Sequence, residues 1–551
     1  MKIALAQLNY TIGDFEKNTY KIISVIKKAK NNNAGLVVFS ELSICGYPPL
    51  DLLEHKYFIE KCKTFADKIA SHCADIAVII GSPVLNTNPK GKNLFNSALF
   101  IKNKKTEYII NKTLLPTYDI FDEYRYFETN KEFSIIEFDK YRIAITICED
   151  LWYNQPLLTN FGKNKLYEIS PMEKLIKLKP DFIINIAASP FAYTHENIKQ
   201  EILINNARDY KIPIFYLNQV GANTELIFNG DSILINKLGT IVDRLKTYEE
   251  DFKIYNIDEI INNSESRTKF NEVTTIEKIH NALILGIKDY FGKLNFKTAV
   301  LGLSGGIDSA VTLVLASKAL GSVNLRVLLM PSKYSSGHSL TDAIELAKNL
   351  GVKYDIINID DIVKQFQISL TPVFYNLPPD ITEENIQARV RGNLLMALSN
   401  KFGNILLNTS NKSEAAVGYS TLYGDLSGGL SVLGDVYKTD VYKLAEFINK
   451  DKEIIPENTL LKAPSAELKP DQKDTDSLPE YSILDKILIN YIELQKSDKE
   501  ITQLGINKSL VQRIIKMVNT NEYKRYQTPP ILRISSKAFG SGRRMPLVAK
   551  Y

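Results

Sequence analysis

The chain has 551 residues, 44% of them apolar, 24% charged and 10% aromatic, a composition that excludes a disordered or fibrous protein and predicts two large folded domains. Its formal net charge of +5, with no basic block or arginine-rich arm, gives weak ground for a nucleic-acid partner. The opening stretch MKIALAQLNYTIGDFEKN turns polar too early for a signal peptide, no apolar run approaches the ~18 residues of a membrane span, and four cysteines (Cys45, Cys62, Cys73, Cys148) make neither a disulfide framework nor a CxxC pattern, so a cytoplasmic protein is expected.

Over residues 1–255, short apolar runs that read as strands recur between amphipathic stretches: KIALAQL, GLVVFSEL, IAVIIGSP, SALFIKN, RIAITICEDLW, DFIINIAASP and IPIFYLNQ. Helical patterns such as NTYKIISVIKKAKNN and HENIKQEILINNARDYK lie between them, and the alternation predicts an α/β layered domain with a largely buried sheet. VVFSELSICGYP puts Glu41 at the end of one strand, IINKTLLPTYD puts Lys112 after another, and IAITICEDLW puts Cys148 at the end of a third. Side chains at the ends of separate strands of one sheet can converge. In such a trio Cys148 is the nucleophile, Glu41 the base taking its proton, and Lys112 the cation that favours thiolate and stabilises a tetrahedral oxyanion. Alone, Cys148 reads as a buried strand cysteine, the reading given to Cys45, Cys62 and Cys73.

The polar segment NIDEIINNSESRTKFNEVTTIEKI, with Asn262, Asn263, Ser264 and Ser266 clustered, reads as a linker over residues 256–275. From 276 to 551 the rhythm resumes with TAVLGLS, RVLLMPS, KYDIINID and NILLNTS, each followed by a helical pattern. This is the order of a doubly wound parallel sheet with ligands beyond its strand ends. LSGGIDSA lies between the first of these strands and the helical run VTLVLASKAL. Unpaired N–H groups at a helix start form an anion site, Gly305 and Gly306 let the backbone approach phosphate oxygens, and Ser304 and Ser309 add hydroxyl donors. Asp308 repels phosphate unless a cation lies between them, which points to Mg²⁺. The loop is neither a Walker A motif nor a GxGxxG fingerprint, and a flexible turn before a helix cap is the alternative reading of a bare SGG.

The full SGGIDS after an apolar strand resembles the pyrophosphate loop of the ATP pyrophosphatases, which adenylate a substrate by cleaving ATP between its α and β phosphates. The segments TEENIQARVRGNLLMALSN, NTSNKSEAAVGYSTLYGDLSGGLSVLGDVYKTDVYKLA, PSAELKPDQKDTDSLPEY and RISSKAFGSGRRMPL resemble the NAD synthetases over nearly all of the second half. The Glu41, Lys112 and Cys148 trio resembles the nitrilase superfamily of C–N hydrolases. Both resemblances meet in the glutamine-dependent NAD synthetases, and they imply an α/β fold in two parts. The first is a nitrilase-like α/β/β/α sandwich acting as glutaminase. The second is a doubly wound parallel sheet of the adenine nucleotide alpha hydrolase type.

The resemblance also implies roles. Gly302, Leu303, Ser304, Gly305, Gly306, Ile307, Asp308 and Ser309 would bind ATP phosphates, with Thr409 and Lys438 contacting ATP. Asp308 and Glu414 would hold Mg²⁺. Asn385, Arg389, Glu414, Asp425 and Lys537 would bind deamido-NAD⁺ or position its adenylate, and Tyr118, Ser189 and His195 would bind glutamine. His195 departs from the lysine common in the family, and a loop or first-turn histidine is an equal reading of it. A homo-oligomer, dimer or higher, with paired synthetase domains is implied as well. On the glycine loop alone a related amide ligase with another carboxylate substrate stays open, and ENIQARVRG and NKSEAAVGY argue against it. A free amidohydrolase with a nucleotide-sensing second half would form neither AMP nor pyrophosphate. A tRNA-thiolating enzyme would need catalytic cysteines in the second half, which has none.

Overall fold

The computed structural model describes residues 1–156, 165–262, 273–375 and 377–550. The chain divides into two compact units, Met1–Glu272 and Val273–Tyr551.

Among the described residues of the first unit, two six-stranded sheets carry the fold. One runs in the spatial order Asp251–Asn256, Lys2–Gln7, Leu36–Val38, Ala77–Leu85, Leu94–Lys102 and Lys105–Asn111. The other runs Ile241–Arg244, Ile233–Ile235, Ile214–Asn218, Phe182–Ala187, Tyr141–Ile147 and Ile136–Phe138. Strand alternation sorts the side chains. Ile3, Leu5, Val38 and Ile79 pack with Ile145, Ile184 and Ile186 between the sheets. Ala4, Ala6, Val37 and Val78 turn the other way, onto helices Phe15–Asn31 and Lys56–Ala70 through Ile22, Ile26, Ile59 and Ile69. Helix Glu196–Asp209 covers the second sheet with Leu203 and Ala207, which completes the α/β/β/α layers.

All seven apolar runs contribute strands, and the sheets also recruit segments that carry no strong apolar signal. Lys105–Asn111 is an edge strand with a polar, largely exposed sequence, and Ile233–Ile235 and Ile241–Arg244 are too short to show alternation. The segment expected as linker begins instead with a helix, Ile257–Asn262, because Ile257 and Ile260 are fully buried in the inter-sheet core. Asn263, Ser264 and Ser266 lie outside the described residues.

The second unit contains a five-stranded parallel sheet in the order Lys353–Ile356, Leu325–Leu329, Ala299–Gly302, Ile405–Asn408 and Leu430–Ser431. Four of these strands are the four runs read from the sequence, and Leu430–Ser431 adds a short edge. The strand order reverses between Ala299–Gly302 and Ile405–Asn408, so the loops leaving those two strands diverge and open a crevice at their C-terminal ends. Helix Ile307–Leu320 follows the first loop and is apolar all round, with Val311, Leu313, Val314 and Leu315 buried. A helical layer around Leu484, Ile487, Leu488, Val511, Ile514 and Val518 supports Ala415–Val417.

Candidate active sites

The three residues singled out in the first unit meet. Lys112 Nζ stands 2.8 Å from Glu41 Oε1 and 2.9 Å from Glu123 Oε1, with the side chains of Lys112 and Glu41 wholly buried. Glu41 is held in place by the Asn96 amide at 2.7 Å and, through its other oxygen, by the Ala188 backbone N–H at 2.9 Å. Gly81 allows the Glu41 loop to approach, since a Cβ there would lie 2.2 Å from Leu42 N. Glu123, absent from the sequence-based trio, also accepts from the Tyr47 hydroxyl at 2.9 Å. Burial pulls Lys112 down, but Glu123 and Glu41 outweigh it and hold its ammonium well above the ordinary lysine range.

Cys148 ends the Tyr141–Ile147 strand and opens a short helical turn, Cys148–Leu151. Its φ of +43° lies in the left-handed region, which costs a non-glycine residue about 1–2 kcal/mol. Asp150 offsets that strain by accepting three backbone N–H groups: Ile147 at 3.0 Å, and Thr113 and Leu114 at 2.9 Å each. One carboxylate thus fixes the nucleophile turn against the segment that follows Lys112. Burial, reinforced by Glu41, raises the Cys148 thiol well above its usual range, and Lys112 works against the rise.

Glu149, next in sequence, is buried and accepts from Tyr118 OH at 2.9 Å, Tyr167 OH at 2.8 Å and Gln155 Nε2 at 3.1 Å. Burial pushes it up to about 7 despite those donors. Tyr118 therefore reaches the nucleophile turn through Glu149. Ser189 follows the Phe182–Ala187 strand, its N–H donating to Asn218 Oδ1 at 2.8 Å. His195 precedes helix Glu196–Asp209, and its backbone carbonyl accepts the Lys199 N–H at 2.9 Å. Cys45, Cys62 and Cys73 are buried free thiols.

In the second unit a cleft of about 650 Å³ opens at the strand reversal. It is lined by residues 302–309, Thr409 and Lys438, and by Asn385, Arg389, Glu414 and Asp425. Lys537 is not among its lining residues. Gly305 has φ +80°, and a Cβ there would lie 2.2 Å from the Ser339 carbonyl oxygen, so only glycine fits. Ser304 and Ser309 hydroxyls are 3.1 Å apart, and Ser304 Oγ also accepts the Gly306 N–H at 3.2 Å, which sets the loop before any ligand arrives.

Asp308 accepts from Asn411 Nδ2 at 2.9 Å and from Lys438 Nζ at 2.5 Å, and Lys438 Nζ lies 3.5 Å from Glu414. Burial, then the Asp308 charge, pushes Glu414 up to about 8. Thr421 bonds both Asn385, at 2.8 Å, and Asp425, at 2.7 Å, while Arg389 Nε donates to the Leu422 carbonyl. Lys462 and Glu467, paired at 2.5 Å, and Asp474 also line the cleft; they lie in or beside the PSAELKPDQKDTDSLPEY segment, but nothing in the sequence assigned them roles.

Comparison with known proteins gives the following. The family described as carbon-nitrogen hydrolase matches residues 2–261, and the family described as NAD synthase matches residues 279–528. A glutamine-dependent NAD(+) synthetase of Synechocystis sp. is 41% identical over 555 aligned residues, spanning 100% of this chain and 99% of that protein. The solved glutamine-dependent NAD⁺ synthetase of Acinetobacter baumannii, in complex with adenosine diphosphate, is 36% identical with a TM-score of 0.76, covering 99% of this chain and 98% of that one. The corresponding structure from Cytophaga hutchinsonii, 21% identical, shares the fold with a TM-score of 0.83 over 100% of this chain and 98% of that one.

The Glu149 carboxyl generates a pH prediction. Its folded value of about 7 lies above its ordinary 4.5, so the stability it contributes is present at low pH and lost as pH rises through about 7. Glu149→Gln should therefore gain on the wild type, on the order of 2 kcal/mol, between about pH 5 and about pH 8 in denaturant unfolding without glutamine. An equal stability difference at both pH values would contradict the assignment.

Proposed function

The chain belongs to the glutamine-dependent NAD(+) synthetase family, and on that premise we propose which of its residues carry each half of the reaction. It is a carbon–nitrogen ligase: deamido-NAD⁺ is amidated to NAD⁺, ATP is cleaved to AMP and diphosphate, and glutamine gives up its amide nitrogen and leaves as glutamate. The observation that carries the division of labour is that each unit holds a buried lysine between two carboxylates at its strand ends. One stands near a thiol and the other at a glycine loop. The unit Met1–Glu272 is the glutaminase and the unit Val273–Tyr551 the synthetase.

In the glutaminase, Cys148 Sγ attacks the carboxamide carbon of glutamine held by Tyr118, Ser189 and His195. The resting thiol is protonated, so Glu41 takes its proton as the C–S bond forms and delivers it to the departing ammonia. Lys112 stabilises the tetrahedral oxyanion, and water then hydrolyses the thioester to glutamate.

In the synthetase, an ionised carboxylate is a poor electrophile, so transfer of AMP to it must precede amidation. Residues 302–309 cradle the ATP phosphates with the help of Thr409 and Lys438, a reading supported by the ADP held by the Acinetobacter baumannii relative. Asn385, Arg389, Glu414 and Asp425, which line the cleft, bind deamido-NAD⁺. Asp308 and Glu414 offer hard oxygen donors, and Glu414, raised first by burial and then by the Asp308 charge, is a carboxyl that a divalent cation would hold ionised, so the pair fits Mg²⁺. When bound, Mg²⁺ supplies charge neutralisation for the departing diphosphate.

A cytoplasmic enzyme with small-molecule partners completes the reading; among the described residues no helix is long and apolar enough to cross a membrane. The enzyme is a homo-oligomer. Supporting this, Ile368, Val373, Leu377 and Ile381 leave more than half of their surface exposed on and beside helices Asp360–Phe374 and Ile381–Phe402.

Cys148→Ala should abolish NAD⁺ formation from glutamine while retaining it from ammonium, with AMP formed alongside; loss of both reactions, or retention of the glutamine reaction, would contradict the assignment. Light scattering should give a mass of at least twice the 62.3 kDa of the chain. Val373→Glu with Leu377→Glu should lower it, whereas a wild-type mass of one chain would refute the oligomer.

A further inference from the structure

Of the cations lining the synthetase cleft, Lys438, Lys462 and Lys469 are ion-paired with carboxylates. Arg391 lines the same cleft without such a partner. Among the described residues it has no ion pair, and its one hydrogen bond runs from Nε to the Met330 carbonyl at 3.2 Å. Its terminal nitrogens, Nη1 and Nη2, are therefore left without a protein acceptor on a half-buried side chain. Glu467, Asp360 and Asp425 act on it only from beyond ion-pair range, and burial outweighs them and pulls the guanidinium down to about 10. A desolvated charge that is not paired is costly, and the planar fork of N–H donors matches the oxygens of a phosphate or a carboxylate.

Arg391 and Leu395 lie one turn apart on helix Ile381–Phe402, and Leu395 Cδ1 is 3.3 Å from where a Cβ on Gly302 would stand. Met330, which takes the Nε bond, follows strand Leu325–Leu329. The guanidinium is thus pinned at the end of that strand, beside the residue that opens the glycine loop. Glu414 belongs instead to helix Lys412–Val417, which follows strand Ile405–Asn408 on the other side of the loop, and there Lys438 joins it to Asp308. Residues two apart on a helix are turned by about 200°, so Arg389, which donates to the Leu422 carbonyl, faces away from Arg391. The two arginines serve different sides of the cleft.

We propose that Arg391 is a catalytic residue that binds the α-phosphate of ATP, and of the adenylate made from it, through Nη1 and Nη2. The assignment rests on the reading of this cleft as the site of adenylation. Lys438 and the Asp308 and Glu414 pair serve the diphosphate that leaves, and Arg391 serves the phosphoryl group that is transferred. In that transfer a carboxylate oxygen of deamido-NAD⁺ attacks the α-phosphorus. The new O–P bond forms as the bond from that phosphorus to the bridging oxygen of the diphosphate breaks, and the diphosphate leaves with the electron pair; no proton moves. The non-bridging α oxygens are negative throughout, so a guanidinium on them lowers the repulsion that the incoming carboxylate meets. When the nitrogen nucleophile later displaces AMP, the same contact stabilises the departing phosphate. The Nε bond to Met330 orients the fork before ATP arrives, which leaves little ordering to be lost on binding.

The test measures binding of adenosine and of AMP to the full chain, wild type and Arg391→Met. AMP affinity should fall about thirtyfold in the variant, while adenosine affinity changes less than about twofold. With Mg·ATP, deamido-NAD⁺ and no nitrogen donor, the rate of labelled diphosphate exchange into ATP should fall at least about a hundredfold. Arg391→Lys, which keeps the charge and loses the fork, should bind adenosine like the wild type and recover only part of the AMP affinity and exchange. Unchanged AMP affinity in Arg391→Met, equal losses for adenosine and AMP in both variants, or an effect confined to the deamido-NAD⁺ KM would overturn the assignment. Absence of exchange in the wild type would overturn the reading of the cleft itself.

Discussion

The structure depends on burying positive charge between pairs of negative charges. Lys112 lies between Glu41 and Glu123, Lys438 between Asp308 and Glu414, and Lys412 between Asp435 and Glu493 at 2.8 and 2.9 Å. Removing an ammonium and its partners from water costs several kcal/mol per ion, and the cost is met only when each lone pair and proton finds a partner. One lysine with two carboxyl groups leaves one carboxyl beyond charge balance at each place, and burial raises Glu123 and Glu414 accordingly. Near Cys148 the second carboxyl leaves Glu41 able to act as a base; at the glycine loop it adds an oxygen donor for a cation. At Lys412 the charges serve the fold, where Asp435 also accepts the Ile534 and Ser535 N–H groups and pins the C-terminal segment.

The sheets set where these triads stand. Glu41, Lys112 and Cys148 each follow a strand, so the layered register that buries Ile3, Leu5 and Ile145 also fixes the height at which the three side chains emerge. Backbone close approach does the rest. Glycine at 81 admits the Glu41 loop and glycine at 305 admits the Ser339 carbonyl, and a methyl group at either would displace a reacting element. Asp150 binds the strained Cys148 turn to the segment after Lys112 with a single carboxylate, so nucleophile and cation cannot drift independently.

The sequence made the strand ends legible because apolar runs ending in Glu, Lys or Cys, and a strand running into SGGIDS, are local patterns. The partners of those residues were not local. Glu123 opens a three-residue helical turn, Glu123–Arg125, too short to give a periodic signal, and becomes legible only when Lys112 and Tyr47 are seen around it. The edge strand Lys105–Asn111 was legible only at its end before Lys112, because Lys105, Thr106, Glu107 and Ile109 face water and only Tyr108 and Ile110 pack on the core, and helix Ile257–Asn262 escaped because its two core isoleucines are outnumbered by polar neighbours. Lys537, grouped with the cleft residues by resemblance, does not line the cleft within the chain.

The most direct test of the account is the reactivity of Cys148 when its cation is removed without unbalancing the charge. Lys112→Met combined with Glu123→Gln deletes one charge of each sign. Alkylation by iodoacetamide at about pH 8, mapped by peptide mass, isolates Cys148 because Cys45, Cys62 and Cys73 are wholly buried. If Lys112 is what favours the thiolate, Cys148 in the double variant reacts at least about tenfold more slowly than in the wild type. An equal or faster rate would show that the buried lysine does not activate the nucleophile.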